Sequence, residues 1–283
     1  MLLDPSLLSR LERLQLRTRR PLAGQISGAH RSRRYGSSLD FADAREYQPG
    51  DDYRRIDYLT LARLDQLVVR LYDADDDLRV DLVIDTSASM AVDGKLRTAV
   101  ELASAIGFVA LTRRDVVRLH VPGRPPERFS GRHAHRELER RLESLTASGA
   151  EPFSGLVRRV LGAARPPGFV FVCSDLLDPA WADGIGLLPA SGADVAIAHV
   201  LGASDLDPEV AGDVDLVDIE TGERVPVSLN RTAIEQYTER LDAWQTAVRD
   251  QARRRAIPLV SIRAGADIGD LVLRRLRHDE VLS

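Results

Sequence analysis

Cysteine is almost absent from this chain of 283 residues. Cys173 stands alone, so no intramolecular disulfide can form, and a reducing compartment, the cytoplasm, is the expected location. Its place in the apolar run Phe169 to Cys173 marks a buried structural thiol rather than a reactive one. Long apolar runs are also missing: no stretch approaches the ~18 residues that a membrane helix needs, so no membrane insertion is expected. The N-terminus alternates Leu with Arg and Glu and has no apolar core of a secretory signal, so none is expected there. A strong excess of one charge is absent too. With 39 Lys and Arg against 43 Asp and Glu, the net charge is -4, which disfavours a general nucleic-acid binder. Neither a Walker loop nor a Gly-x-Ser-x-Gly elbow occurs, and Gly184-Ile185-Gly186 is followed by Pro189 where a dinucleotide fingerprint needs its third glycine.

What the chain does have is 44% apolar residues, enough for one large or two modest cores. Its charges are unevenly spread. Residues 1–34 carry Arg10, Arg13, Arg17, Arg19, Arg20, Arg31, Arg33 and Arg34, whereas Asp73, Asp75, Asp76 and Asp77 form an acidic cluster, read as a solvated loop. Asp4-Pro5 followed by Leu7, Leu8, Leu11 and Leu14 predicts an amphipathic helix within residues 1–24. Residues 25–78, rich in glycine and charge, predict a small strand and loop module, its Arg45, Asp51, Arg54, Asp57 and Arg63 read as structural ion pairs.

From Val80 the pattern becomes α/β. Apolar strands at Val80–Ile84, Val117–Val121, Phe169–Cys173, Val195–Val200 and Leu259–Ile262 alternate with helices, one starting near Lys95 and others near Leu138, Ser154 and Trp181. Strand Val117–Val121 is expected to have one wet face, and Val214–Ile219 with Arg224–Val227 to form a peripheral hairpin. Thr232 and Glu235 have capping-box spacing at the start of a long helix whose stripe runs through Tyr237 and Trp244, both expected in the core. The six histidines show no metal spacing and are read as surface residues. The expected class is a doubly wound, mostly parallel α/β sheet over residues 79–265, with a short helical tail at 266–283.

One segment carries chemistry. The strand Val80–Ile84 ends at Asp85, with Ser87 and Ser89 at alternate positions after it. Hard cations take oxygen ligands, and a loop leaving a strand's C-terminal end can turn these three side chains to one point. A second strand ends in Ser174-Asp175, and a switch in strand order would bring Asp175 beside Asp85. Two carboxylates and two hydroxyls leave a divalent ion short of charge and of one ligand, which invites a carboxylate from another protein. No general base stands nearby, so binding is favoured over hydrolysis. The competing reading makes Asp85, Ser87 and Ser89 caps of the following helix.

The pattern Asp85-x-Ser87-x-Ser89 resembles the metal-ion-dependent adhesion site (MIDAS) of von Willebrand A domains. The upstream residues Gly28, His30, Ser32 and Gly36, with Phe41, Arg45, Glu46, Tyr47, Pro49, Gly50, Asp51, Asp52, Arg54, Arg55, Asp57, Ala62 and Arg63, resemble the signature of the bacterial domain-of-unknown-function 58 family over residues 24–265. The resemblance implies a von Willebrand A (Rossmann-like) domain holding Mg²⁺ (or Mn²⁺ or Ca²⁺) through Asp85, Ser87, Ser89 and Asp175. It also implies a MoxR-type AAA+ ATPase as partner, with an unknown client protein to be matured or remodelled, and no catalysis by this chain. The threonine ligand usual in A domains has no counterpart, Ser154 standing near its place. The alternatives are a metal-free A-domain scaffold and, less favoured, a metal-dependent phosphohydrolase, in which Ser87 stands where the second aspartate is required.

Overall fold

The computed structural model describes residues 2–18, 41–46, 56–58, 60–61, 67–72, 78–148, 151–162, 167–208 and 212–283. The chain divides into two units, residues 20–77 and residues 1–19 with 78–283. Helix α1 (Pro5–Leu11) opens the larger unit. Asp4 caps it by accepting the Ser6 amide at 2.7 Å, with Pro at the first turn. Leu7 and Leu11 turn inward.

In the smaller unit, β1 (Phe41–Glu46) pairs antiparallel with β2 (Val68–Tyr72), with an irregularity between Phe41 and Asp43. Asp57 donates its amide to the Val68 carbonyl at 2.9 Å and accepts the Thr60 amide at 3.3 Å. The Gly28–Gly36 and Tyr47–Arg55 stretches of the signature, Ala62 and Arg63, and the Asp73–Asp77 cluster lie outside the described residues.

The larger unit continues with β3 (Arg79–Ile84), α2 (Lys95–Thr112), β4 (Val116–His120), β5 (Glu127–Ser130), α3 (His135–Glu143), α4 (Phe153–Leu161), β6 (Phe169–Ser174), α5 (Trp181–Leu187), β7 (Asp194–Leu201) and α6 (Ala203–Leu206). After these come β8 (Gly212–Val217), β9 (Arg224–Leu229), α7 (Arg231–Arg253), β10 (Leu259–Arg263) and a helical segment at 268–278. The main sheet has the order β10-β7-β6-β3-β4-β5, parallel except for β5, which runs antiparallel to β4. This is the mixed α/β, mostly parallel and Rossmann-like arrangement expected. The order reverses between β3 and β6, the place where such sheets hold ligands beyond their carboxyl ends.

Strands β3 and β6 are buried on both faces, as near-continuous apolar runs demand. Between them and α4 and α5 lies a core of Val83, Val157, Val170, Val172, Ile185 and Ile197. Helices α4 and α5 approach closely at Gly184, where a methyl group would lie 2.3 Å from Cδ1 and 2.6 Å from Cε1 of Phe153. Gly184→Ala is therefore expected to cost about 1–3 kcal/mol in urea unfolding, with partial recovery in the Phe153→Leu background.

Strand β4 has no wet face: Arg118 is half-buried and pairs with fully buried Asp81, Nε to Oδ1 at 2.7 Å and Nη2 to Oδ2 at 2.8 Å, so its charge is neutralised rather than solvated. The edge strand β5 escaped prediction because Phe129 is its only buried residue. Helix α7 is capped by Asn230, which accepts the Ala233 amide at 2.9 Å, leaving Thr232 inside the helix. Only Val248 and Ala252 of α7 are buried. Tyr237 is 39% exposed, while Trp244 is half-buried and edge-on to His199, ring centroids 5.2 Å apart. His120, His135 and His199 are buried, not on the surface. His135 packs edge-on against Phe108, and its Nε2 lies 3.3 Å from the Ser104 hydroxyl.

Candidate functional site

The carboxyl ends of β3, β6 and β7 bring three aspartates together at the sheet's crest. The β3–β6 register runs through Ile84 and Cys173, and the Asp85 amide donates to the Cys173 carbonyl at 2.9 Å. That pairing places Asp85 beside Ser174 and Asp175, the convergence expected from the two strand ends. Asp85 Oδ1 accepts the Ser87 amide at 2.8 Å, and Oδ2 accepts the Ser174 hydroxyl at 2.5 Å. Burial pushes the Asp85 carboxyl above its ordinary range, and the Asp175 charge adds to this against the hydrogen bonds from Ser174 and Ser87.

Ser87 and Ser89 extend from the turn that follows, their hydroxyls hydrogen-bonded to one another at 3.0 Å. Ser87 opens the 3-10 segment Ala88–Gly94 but makes no side-chain cap hydrogen bond, so the capping alternative is not realised at that residue. Adjacent ligands around an octahedral Mg²⁺ at 2.0–2.1 Å would lie about 3 Å apart, the spacing of these two oxygens. The chemistry of this donor set fits a hard cation.

Asp175, expected as a ligand, also has a partner within the chain. Lys95 lies 1% exposed at the start of α2, its Nζ 2.8 Å from Asp175 Oδ2 and 3.0 Å from Asp205 Oδ2. Burial alone would depress the lysine; the charges and hydrogen bonds of Asp175 and Asp205 outweigh it and hold the ammonium above its usual range. Asp175 and Asp205 thus share one ammonium between two carboxylates. Its Oδ1 accepts the Leu177 amide at 3.2 Å. Leu176, between them, holds φ 56°, a left-handed turn fixed by its amide donating to Ser174 Oγ at 2.9 Å. Among the described residues no three His, Cys, Asp or Glu side chains gather at a metal's distance, so the hydroxyls are indispensable to any cation site here.

Lys95, Ser174, Asp205 and Glu220 were missed from the sequence. Lys95 left one signal: with Ala99, Leu102 and Ile106 it falls on the buried stripe of α2, where a lysine needs a partner. Asp205 also accepts the Gly202 amide at 2.8 Å, and Tyr237 donates its hydroxyl to the Asp205 carbonyl at 2.7 Å. Glu220, in the β8–β9 turn, accepts the Ser89 amide at 2.8 Å. Ser154 is buried in α4, and the Ser148 amide just before that helix donates to the Thr86 carbonyl at 2.9 Å.

Residues 43–252 match the family described as Protein of unknown function DUF58. The chain belongs to the DUF58 family. An uncharacterized protein of Mycobacterium bovis is 29% identical over 287 aligned positions, covering 95% of this chain and 89% of its own. An uncharacterized protein of Mycobacterium tuberculosis is similar to the same extent. Among solved structures, the conserved hypothetical protein BatB of Bacteroides thetaiotaomicron is 14% identical with a TM-score of 0.36, covering 63% of this DUF58 chain and 98% of its own. An aerotolerance-related membrane protein of Bacteroides fragilis is 17% identical with a TM-score of 0.42, covering 72% and 98%. At these scores neither carries an argument about this chain. Among its described residues no helix is long and apolar enough to cross a membrane.

Proposed function

We propose that this DUF58 protein is a non-enzymatic protein-interaction module of von Willebrand A type, working in the cytoplasm through a divalent-cation site at Asp85, Ser87 and Ser89. The observation that carries the reading is the Ser87 and Ser89 hydroxyl pair, 3.0 Å apart, beside a buried carboxylate at the switch point of the sheet. Mg²⁺ bound there would supply a Lewis-acidic point that accepts a carboxylate from a partner. Asp85, Ser87 and Ser89 would hold it, while Asp175, tied to Lys95, shapes the site's floor. The family resemblance supports a MoxR-type AAA+ ATPase as the partner that supplies ATP hydrolysis, with a client protein remodelled by the pair. A phosphohydrolase is disfavoured because Ser87 stands where the acid carboxylate is required.

The Lys95–Asp175 pair favours one other reading, a metal-free scaffold in which a lysine has taken over part of the cation's work. Thermal melting of the full chain in EDTA, Mg²⁺ and Mn²⁺ separates the two. On the cation reading, Mg²⁺ at a hundredfold excess over Kd adds about 2.7 kcal/mol of stability, and Asp85→Ala removes the shift. A wild-type melt indifferent to both ions establishes the scaffold instead.

A further inference from the structure

The β8–β9 hairpin has little reason to lie where it does. Its strands are almost wholly exposed, with Leu216 at 48% and Val225 at 49%. A two-stranded hairpin of this kind is marginal by itself. Its turn is nevertheless built with care. Asp218 Oδ1 accepts the Glu220 amide at 2.8 Å and the Thr221 amide at 3.4 Å, and the Gly222 amide donates to the Asp218 carbonyl at 2.7 Å, with Gly222 at φ 74°. These local bonds fix the peptide of Glu220 independently of anything the turn touches.

That turn delivers Glu220 to the Ser89 amide, 131 positions away in the chain. The carboxylate therefore stands at the residue whose hydroxyl, with that of Ser87, lines the proposed cation site. A donor set of one carboxylate and two hydroxyls leaves a divalent ion short of negative charge, and the Asp175 carboxylate is already engaged by Lys95, which it shares with Asp205. Glu220, whose carboxylate accepts the Ser89 amide, would bring a second carboxylate to that set.

We propose that Glu220 is an intramolecular ligand of the Asp85, Ser87 and Ser89 site, and that the β8–β9 hairpin is a strap that closes the site on itself. The partner class follows: a protein presenting a Glu or Asp side chain on an exposed turn, which must displace Glu220 to engage. The inference rests on the cation reading above. It goes further in assigning the fourth protein ligand and in making the free protein self-closed.

The test uses the full chain with Mg²⁺ alone as probe, comparing wild type, Glu220→Gln, Asp85→Ala and Glu223→Gln. Glu223→Gln removes a charge from the same turn; the Glu223 amide is held by the Thr221 hydroxyl at 3.2 Å, away from Ser89. Mg²⁺ affinity is read from the concentration dependence of the melting temperature, and the hairpin from amide hydrogen exchange over residues 212–229. In the wild type, Mg²⁺ should slow hairpin exchange at least fivefold. Glu220→Gln should weaken Mg²⁺ at least tenfold and abolish that slowing, while Glu223→Gln leaves both unchanged. Equal Mg²⁺ affinity in wild type and Glu220→Gln, with hairpin exchange indifferent to the ion, overturns the strap and leaves the Asp85-dependent site standing. Absence of any Mg²⁺ response in the wild type overturns the site and the strap together.

Discussion

Replacing Lys95 with methionine is expected to lower the stability of the fold by about 3–5 kcal/mol in urea unfolding at neutral pH. Methionine fills most of the lysine's volume, so the loss isolates the charge. Without the ammonium, Asp175, 1% exposed, and Asp205, 18% exposed, keep their negative charges with no cation between them. Asp175 also lies near enough to Asp85 for its charge to help raise that carboxyl. Adding Asp175→Asn to Lys95→Met should restore a sizeable part of the loss, because the double variant removes the uncompensated charge as well as its partner. Additive losses in the double variant would show that Lys95 contributes packing alone. The pH dependence gives an independent check. The folded ammonium titrates above the ordinary lysine value of 10.5, so its contribution is complete below that pH and fades as pH rises through the folded value. Lys95→Met should flatten stability in that alkaline range.

A second large effect is expected on the acid side. Burial holds His199 down to about 4, against an ordinary 6.5. Its Nε2 lies 3.0 Å from the Asp175 carbonyl, an acceptor, so the neutral ring carries its proton on Nε2. The unfolded chain therefore takes up a proton first. The stability associated with His199 is present above about 6.5 and is lost as pH falls toward 4, a total on the order of 3 kcal/mol. His199→Gln should remove this component of the slope between pH 7 and 4, measured by urea unfolding at a series of pH values. An unchanged slope in the variant would place the acid sensitivity elsewhere.

The local features are legible in the sequence because their causes are local. Asp4 and Pro5 start α1, the apolar runs become β3, β6 and β7, and the turn Glu220–Glu223 joins β8 to β9. Capping was read less well at α7, where Asn230 lies two residues before the Thr232 that matched the capping-box spacing. Both residues satisfy the same local rule, and only the helix's actual start distinguishes them. Periodicity also overstated the core of α7. Tyr237 falls on the apolar stripe, yet it is 39% exposed and directs its hydroxyl to the Asp205 carbonyl.

The site divides in the same way. Asp85, Ser87 and Ser89 are contiguous, so the pattern itself put them on one loop after one strand, and the expectation that Asp175 would join them needed only a strand-order switch. That Asp175 is held by Lys95, that Ser174 donates to Asp85, and that Glu220 reaches Ser89 were invisible in the sequence. The same limit applied to the histidines, since burial of His120, His135 and His199 depends on what packs against them.

By itself the sequence determined the family, the alternation of strands and helices, and a carboxylate followed by two hydroxyls at the end of the first sheet strand. Only the tertiary structure decided how the charges at that place are balanced. Secondary structure follows from periods of a few residues, but charge balance in a buried site depends on distances through space. The four-carbon stem of Lys95 can meet Asp175 and Asp205 only after β6 and β7 have been laid beside one another. Until the sheet sets that order, the spacing that puts Lys95 on the buried stripe of α2 cannot name the carboxylates that neutralise it.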